Sequence, residues 1–157
     1  MRTCRNALTL SIVLVLATSF AVAQRDQSER PKKEYPAQAS VATKQAFGTI
    51  SPASPEVASA IEATDLAALR KKIGKRAAFK GKVVKVYTSR SNSIVILNFA
   101  RNYKEAAVAV LKPEHYARFP SMETLKDQNV LVTGKVVTYE DRPEIELVRP
   151  DQVRIIR

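Results

Sequence analysis

Between Asp65 and Glu105 the chain carries no acidic residue and eleven basic ones: Arg70, Lys71, Lys72, Lys75, Arg76, Lys80, Lys82, Lys85, Arg90, Arg101 and Lys104. Ammonium and guanidinium groups at this density neutralise phosphates and release the counterions condensed on them. Flat side chains are interleaved with them. Tyr87 and Tyr103 are candidate platforms for unpaired bases, which stack on any aromatic face. Asn92, Asn98 and Asn102 are candidate contacts to base edges or sugars, and Arg142 lies in a later turn from which it can close the same groove. The candidate nucleic-acid-binding set is therefore Lys80, Lys82, Lys85, Tyr87, Arg90, Asn98, Arg101, Tyr103, Lys104 and Arg142. A basic run also serves as a solvated face that blocks edge-to-edge aggregation. Lys71, Lys72 and Lys75 near a helix end can complement its dipole.

Catalytic chemistry has little to work with. His115 is the only histidine, and Cys4 the only cysteine. Zinc sites of the usual Cys/His kind are therefore not expected. A metal-dependent nuclease would need carboxylates on the early strands, which is the acid-free stretch. Glu140, Asp141, Glu144 and Glu146 cluster at a hairpin, with Glu144 and Glu146 on one strand face. They lack the spacing of a calcium loop. No Gly-rich phosphate loop occurs among the four glycines. The expectation is a non-enzyme with no cofactor and no metal.

The elements that must position these residues read as strands. Residues 76–89 form a long first strand, 93–101 a second and 106–111 a third. Residues 113–127 are the one non-strand insertion, a short helix from Pro113 whose Tyr116 and Phe119, with Met122 and Leu125, can plug a barrel end. Residues 129–140 give the fourth strand and 144–148 the fifth, extended by 152–156. Upstream, Thr64-Asp65 opens a helix with Leu66, Leu69 and Ile73 on one stripe, stopped by Gly74. The run Gly-Lys-Val-Val occurs at 81–84 and again at 134–137. A glycine within a β-branched run marks a bulge or the close approach of another backbone. A bulge near Gly81–Val84 also reconciles Val83 and Val86, both apolar yet three apart, with strand alternation. Strand order β-β-β-α-β-β with the helix between strands three and four predicts a mainly β, five-stranded OB-fold barrel preceded by an N-terminal helix. In that topology the first and fourth strands pair, making the two runs neighbours.

The stretches Ile73-Gly74-Lys75, Phe79-Lys80-Gly81-Lys82-Val83, Ile96-Leu97-Asn98-Phe99 and Val132-Thr133-Gly134-Lys135-Val136 carry a resemblance that continues from Tyr139 through Arg142-Pro143-Glu144-Ile145-Glu146-Leu147 to Pro150-Asp151-Gln152-Val153. In them residues 61–157 resemble exported bacterial OB-fold proteins and the OB domains of nucleic-acid-binding modules. The matching positions are turns and core, so the resemblance implies fold more than ligand. Ala100 and Asp141 depart from it, each standing where such sequences often have glycine.

Residues 1–23 read as a signal peptide: Arg2 and Arg5, an apolar run from Ala7 to Phe20, and Ala21-Val22-Ala23 before Gln24. Cleavage would leave 24 basic and 15 acidic residues, a charge of +9, of which +8 lies in 61–157. Residues 24–60 hold four prolines amid Ala, Ser, Gln and Thr and predict a disordered linker. The expected protein is periplasmic or extracellular and has no stable membrane insertion after cleavage. It would bind nucleic acid, single-stranded favoured, or another polyanion. The alternative is an interaction module of the same fold for a protein, an anionic glycan or a small ligand. A third reading is attraction to anionic headgroups by charge alone.

Overall fold

Buried and partly exposed side chains alternate along the strands at 95–98, 142–147 and 153–156, whereas the strand at 108–111 is buried throughout. The computed structural model describes residues 33–157. The expected signal peptide and residues 24–32 of the expected linker lie outside the described residues. The strands are β1 (Gly48–Ile50), β2 (Ile61–Glu62), β3 (Arg76–Lys82), β4 (Lys85–Thr88), β5 (Val95–Asn98), β6 (Val108–Leu111), β7 (Asn129–Tyr139), β8 (Arg142–Leu147) and β9 (Val153–Ile156). Three short helices precede the barrel: α1 (Gln38–Val41), α2 (Pro55–Ser59) and α3 (Leu66–Arg70). Among the described residues no helix is long and apolar enough to cross a membrane.

β3 and β4 are two halves of one bent strand. β3 pairs antiparallel with β7, and β4 pairs antiparallel with β5. The partner switch falls at Val83–Val84: Val83 N–H donates to Gln128 O at 2.9 Å, and Val84 N–H donates to Asn98 O at 2.8 Å. Pairing then runs β5–β6 antiparallel, β6–β8 parallel and β8–β7 antiparallel, and β7 returns to β3. That circuit, with its one parallel contact, is the five-stranded OB-fold barrel. Closure removes the open edges that invite aggregation. β9 continues beyond β8 along β7, opposite Val130–Val132.

The core contains Phe79 and Phe99, packed edge-to-face at 5.2 Å, with Leu97, Leu111, Val132, Val136, Ile145 and Leu147 around them. The insertion between β6 and β7 forms two 3-10 turns, Pro113–Arg118 and Met122–Leu125. Their Tyr116, Phe119, Met122 and Leu125 are all buried and close one barrel end as expected. Tyr116 donates its hydroxyl to Asn92 O at 2.8 Å, and burial, with nearby Glu114, pushes its pKa up to about 12. The helix expected from Asp65 is α3, its N-cap carboxylate accepting from Ala68 N–H at 2.9 Å. Leu69 is buried, Leu66 partly so, and Gly74 has φ +82°. Ile73 departs from the expected stripe: helix geometry has ended by then, and it lies exposed, bridged to Val136.

The two Gly-Lys-Val-Val runs do sit on paired strands, but at opposite ends: Gly81 faces Val130, and Gly134 faces Ala77. Gly134 marks a close approach. A Cβ there would lie 2.5 Å from Ile145 Cγ2 and 2.9 Å from Gln152 Nε2. Gln152 is the polar pin of this corner. Its Nε2 donates to Thr133 O and Glu146 O, both at 3.1 Å, and its Oε1 accepts from Val148 N–H at 2.7 Å and Arg149 N–H at 2.9 Å.

The flexible linker expected over 24–60 is corrected for its described part. Phe47 joins the main core, and Ile50, Val57 and Ala60 pack with Leu131, Ala78 and Ile156 outside the β3–β7–β9 side. Gln38 is buried, donating to Pro120 O at 3.0 Å and accepting from Met122 N–H at 3.0 Å. β1 pairs parallel with β9, and Arg154 of β9 holds Glu56 of α2, whose carboxyl it lowers below the usual range. The segment has no periodicity because its scattered apolar residues find their partners elsewhere in the chain, Phe47 in the main core and Ile50, Val57 and Ala60 in a second small cluster.

Glu140 and Asp141 join β7 to β8 with φ of 47° and 61°. Both are left-handed, as in the tight hairpin turn that favours Asn-Gly. Holding two such residues there costs about 1 kcal/mol or more. The double change Glu140→Asn, Asp141→Gly is expected to raise stability by about 1 kcal/mol, or roughly 4 °C in melting temperature. An unchanged or lower melting temperature would refute the strain.

Candidate nucleic-acid interface

Register across the barrel fixes which side chains share the outward face. Lys85, Asn98, Val108 and Glu144 form one cross-strand row; Tyr87, Ile96, Val110 and Glu146 form the next. With the β3–β7–β9 side covered by α2 and β1, the row members on β4, β5 and β8 are at least partly exposed, whereas Val108 and Val110 of β6 are buried. At the β4–β5 end of these rows lies a groove of about 410 Å³, lined by Lys85, Tyr87, Ile96, Asn98, Ala100, Arg101, Tyr103 and Arg142.

Each element contributes for a local reason. Lys85 and Tyr87 project from β4, Ile96 and Asn98 from the facing positions of β5. Residues 99–107 form the loop to β6, folded on itself by Asn102: its side chain donates to Glu105 Oε1 at 2.9 Å and accepts from Lys104 N–H at 3.2 Å. Arg142 opens β8 from the strained turn and reaches across to Tyr103, donating to its carbonyl at 3.1 Å with its guanidinium 5.2 Å from the ring centre. Lys104 and Lys85 sit 5.8 Å over the Tyr103 and Tyr87 rings respectively. Tyr87 and Tyr103 remain 43% and 52% exposed, so each can take a stacked partner. Arg142 Nε is shut from solvent without a hydrogen-bond partner among the described residues.

Of the ten residues singled out by sequence, Lys85, Tyr87, Asn98, Arg101, Tyr103 and Arg142 come together here, and Lys104 flanks them beside Arg70. Three do not. Lys80 points to the opposite side, donating to Val57 O at 3.0 Å and pairing with Glu62 at 3.5 Å. Lys82 pairs with Asp127 at 3.5 Å, and Arg90 is exposed in the β4–β5 turn, outside the groove. Asn92 is also structural, donating to Tyr35 O at 2.9 Å. Ile96 and Ala100 were missed, although Ile96 lies two residues before Asn98 on a strand and so shares its face.

The groove is not bordered by cations alone. Glu144 and Glu146 occupy the β8 end of the same rows. Burial pushes the Glu144 carboxyl up, with Glu146 adding to this and Arg142 and Lys112 opposing it.

No family model matches the chain, and no curated protein matches it. Among solved structures it is similar to an aspartyl tRNA synthetase from Entamoeba histolytica, at 12% identity and a TM-score of 0.45. That match covers 73% of this chain and 26% of the synthetase chain, so the protein spans about a quarter of its length. The strand circuit described above, independent of this likeness, defines the OB-like barrel.

Proposed function

We propose that the protein is an exported, non-catalytic OB-fold protein that binds nucleic acid, single strands favoured, with little sequence preference. The observation that carries this reading is the gathering of two half-exposed tyrosines and three basic side chains, Lys85, Arg101 and Arg142, in one groove. Stacking accepts any base, and cations accept any backbone phosphate. Export rests on the sequence of residues 1–23.

Fluorescence anisotropy of a labelled single-stranded oligonucleotide across a salt series tests it. With about four phosphates neutralised by the groove and Lys104, log affinity is expected to fall against log salt with a slope near ~3. Single strands should bind more tightly than duplex. Binding only at low salt, equal for any polyanion, would overturn the reading. A second reading is favoured by Glu144 and Glu146, which shorten the cationic footprint: an interaction module for a protein, an anionic glycan or a small ligand that fits the β4–β5 end alone.

A further inference from the structure

In a strongly basic domain one patch runs the other way. The 3-10 turn after β6 brings Glu114 and His115 against Glu146 of β8, and one ligand atom from each of the three lies within 4.8 Å of the others. Glu144 shares the strand face of Glu146, so three carboxylates act on Lys112, whose Nζ donates to Glu146 Oε2 at 2.7 Å. His115 Nδ1 is sealed from solvent and has no hydrogen-bond partner among the described residues. A ring nitrogen in that position is destabilising unless something binds it.

We propose that Glu114, His115 and Glu146 bind a divalent transition-metal ion of the zinc type through one imidazole nitrogen and two carboxylate oxygens. The donor set selects the ion. Imidazole suits zinc and its neighbours, whereas calcium and magnesium require more oxygens than these residues offer. Zinc bonds of about 2.1 Å require the three atoms to close by an ångström or so, within the rotamer freedom of two glutamates. The arms are well held. Glu146 sits opposite Val110 in the β6–β8 ladder, and Glu114 and His115 follow Pro113 at the start of the turn. Lys112 is the competitor that the ion displaces; its side chain is 45% exposed and free to swing into water.

His115 is the only histidine, so its imidazole NMR signals report the site without any mutation, in a chain carrying no histidine tag. Chelator-stripped protein titrated with zinc chloride is expected to bind one ion per chain, with the His115 ring signals shifting in step. Magnesium should give neither response. His115→Ala should weaken zinc binding by more than about tenfold, the loss that even outer partners of a ligand produce. Lys112→Gln should tighten it by removing the competing ammonium. Ring signals unmoved by saturating zinc, or zinc affinity unchanged in His115→Ala, would overturn the proposal.

Discussion

Alanine at position 134 is expected to destabilise the protein by about 2–5 kcal/mol and to lower its melting temperature by roughly 8–20 °C. A single methyl group has this effect because neither neighbour can retreat. The new Cβ would lie 2.5 Å from Ile145 Cγ2, and Ile145 is fully buried in the barrel seam opposite Val136. The other neighbour, Gln152 Nε2 at 2.9 Å, belongs to a side chain with four backbone hydrogen bonds, and moving it strands the carbonyls of Thr133 and Glu146. Overpacking alone costs about 1–3 kcal/mol, and each orphaned buried group a similar amount. Gln152→Ala provides the cross-check. The double mutant should be less destabilised than the sum of the singles, because the two residues share one space. Thermal unfolding followed by circular dichroism measures all three; additive effects, or a shift of only ~2 °C for Gly134→Ala, would show that the corner has room.

The second large effect concerns binding. Replacing both Tyr87 and Tyr103 by alanine should weaken oligonucleotide affinity by about thirtyfold or more, since each lost base stack is worth roughly 1–3 kcal/mol. Folding should be nearly untouched, because both rings are about half exposed and neither belongs to the core. Arg142→Ala should lower the salt slope by about one as well as weakening binding, the signature of a phosphate contact. Lys82→Ala is the charge control: it also removes one positive charge, but from a β3 side chain paired with Asp127 outside the groove. Equal losses for Lys82→Ala and Arg142→Ala would mean that net charge, and not the groove, drives binding.

The barrel was legible because its information is local. Alternation, the insertion with Tyr116 and Phe119, and the Asp65 cap each declare an element within a few residues. The site was legible only in part. Lys80, Lys82 and Lys85 look equivalent in a six-residue stretch, yet the chain changes partner at Val83–Val84, so Lys85 enters the groove while Lys80 is held beneath α2. Which way a side chain faces after a bend depends on its new partner strand, far away in sequence. The same limit hid the packing of Phe47, Ile50 and Val57, whose apolar surroundings come from β3, β7 and β9. Glu144 and Glu146 were recognised as sharing a strand face; that this face borders the groove follows only from the parallel pairing of β6 with β8.

The parallel contact of β1 with β9 has a consequence for how the molecule is made. Gly48–Ile50 leaves the ribosome early and Val153–Ile156 late, so the first of these strands has no ladder partner until nearly all of the described chain has been synthesised. Closing so long a loop is entropically costly and waits for the barrel to bring its two ends near. Until that moment Ile50 and Val57 have no Ile156 to pack against, and the segment before the barrel remains available to whatever handles nascent chains. Completion of β9 is thus expected to raise the protease resistance of residues 48–60, which until then are held only by Leu131, Ala78 and their neighbours.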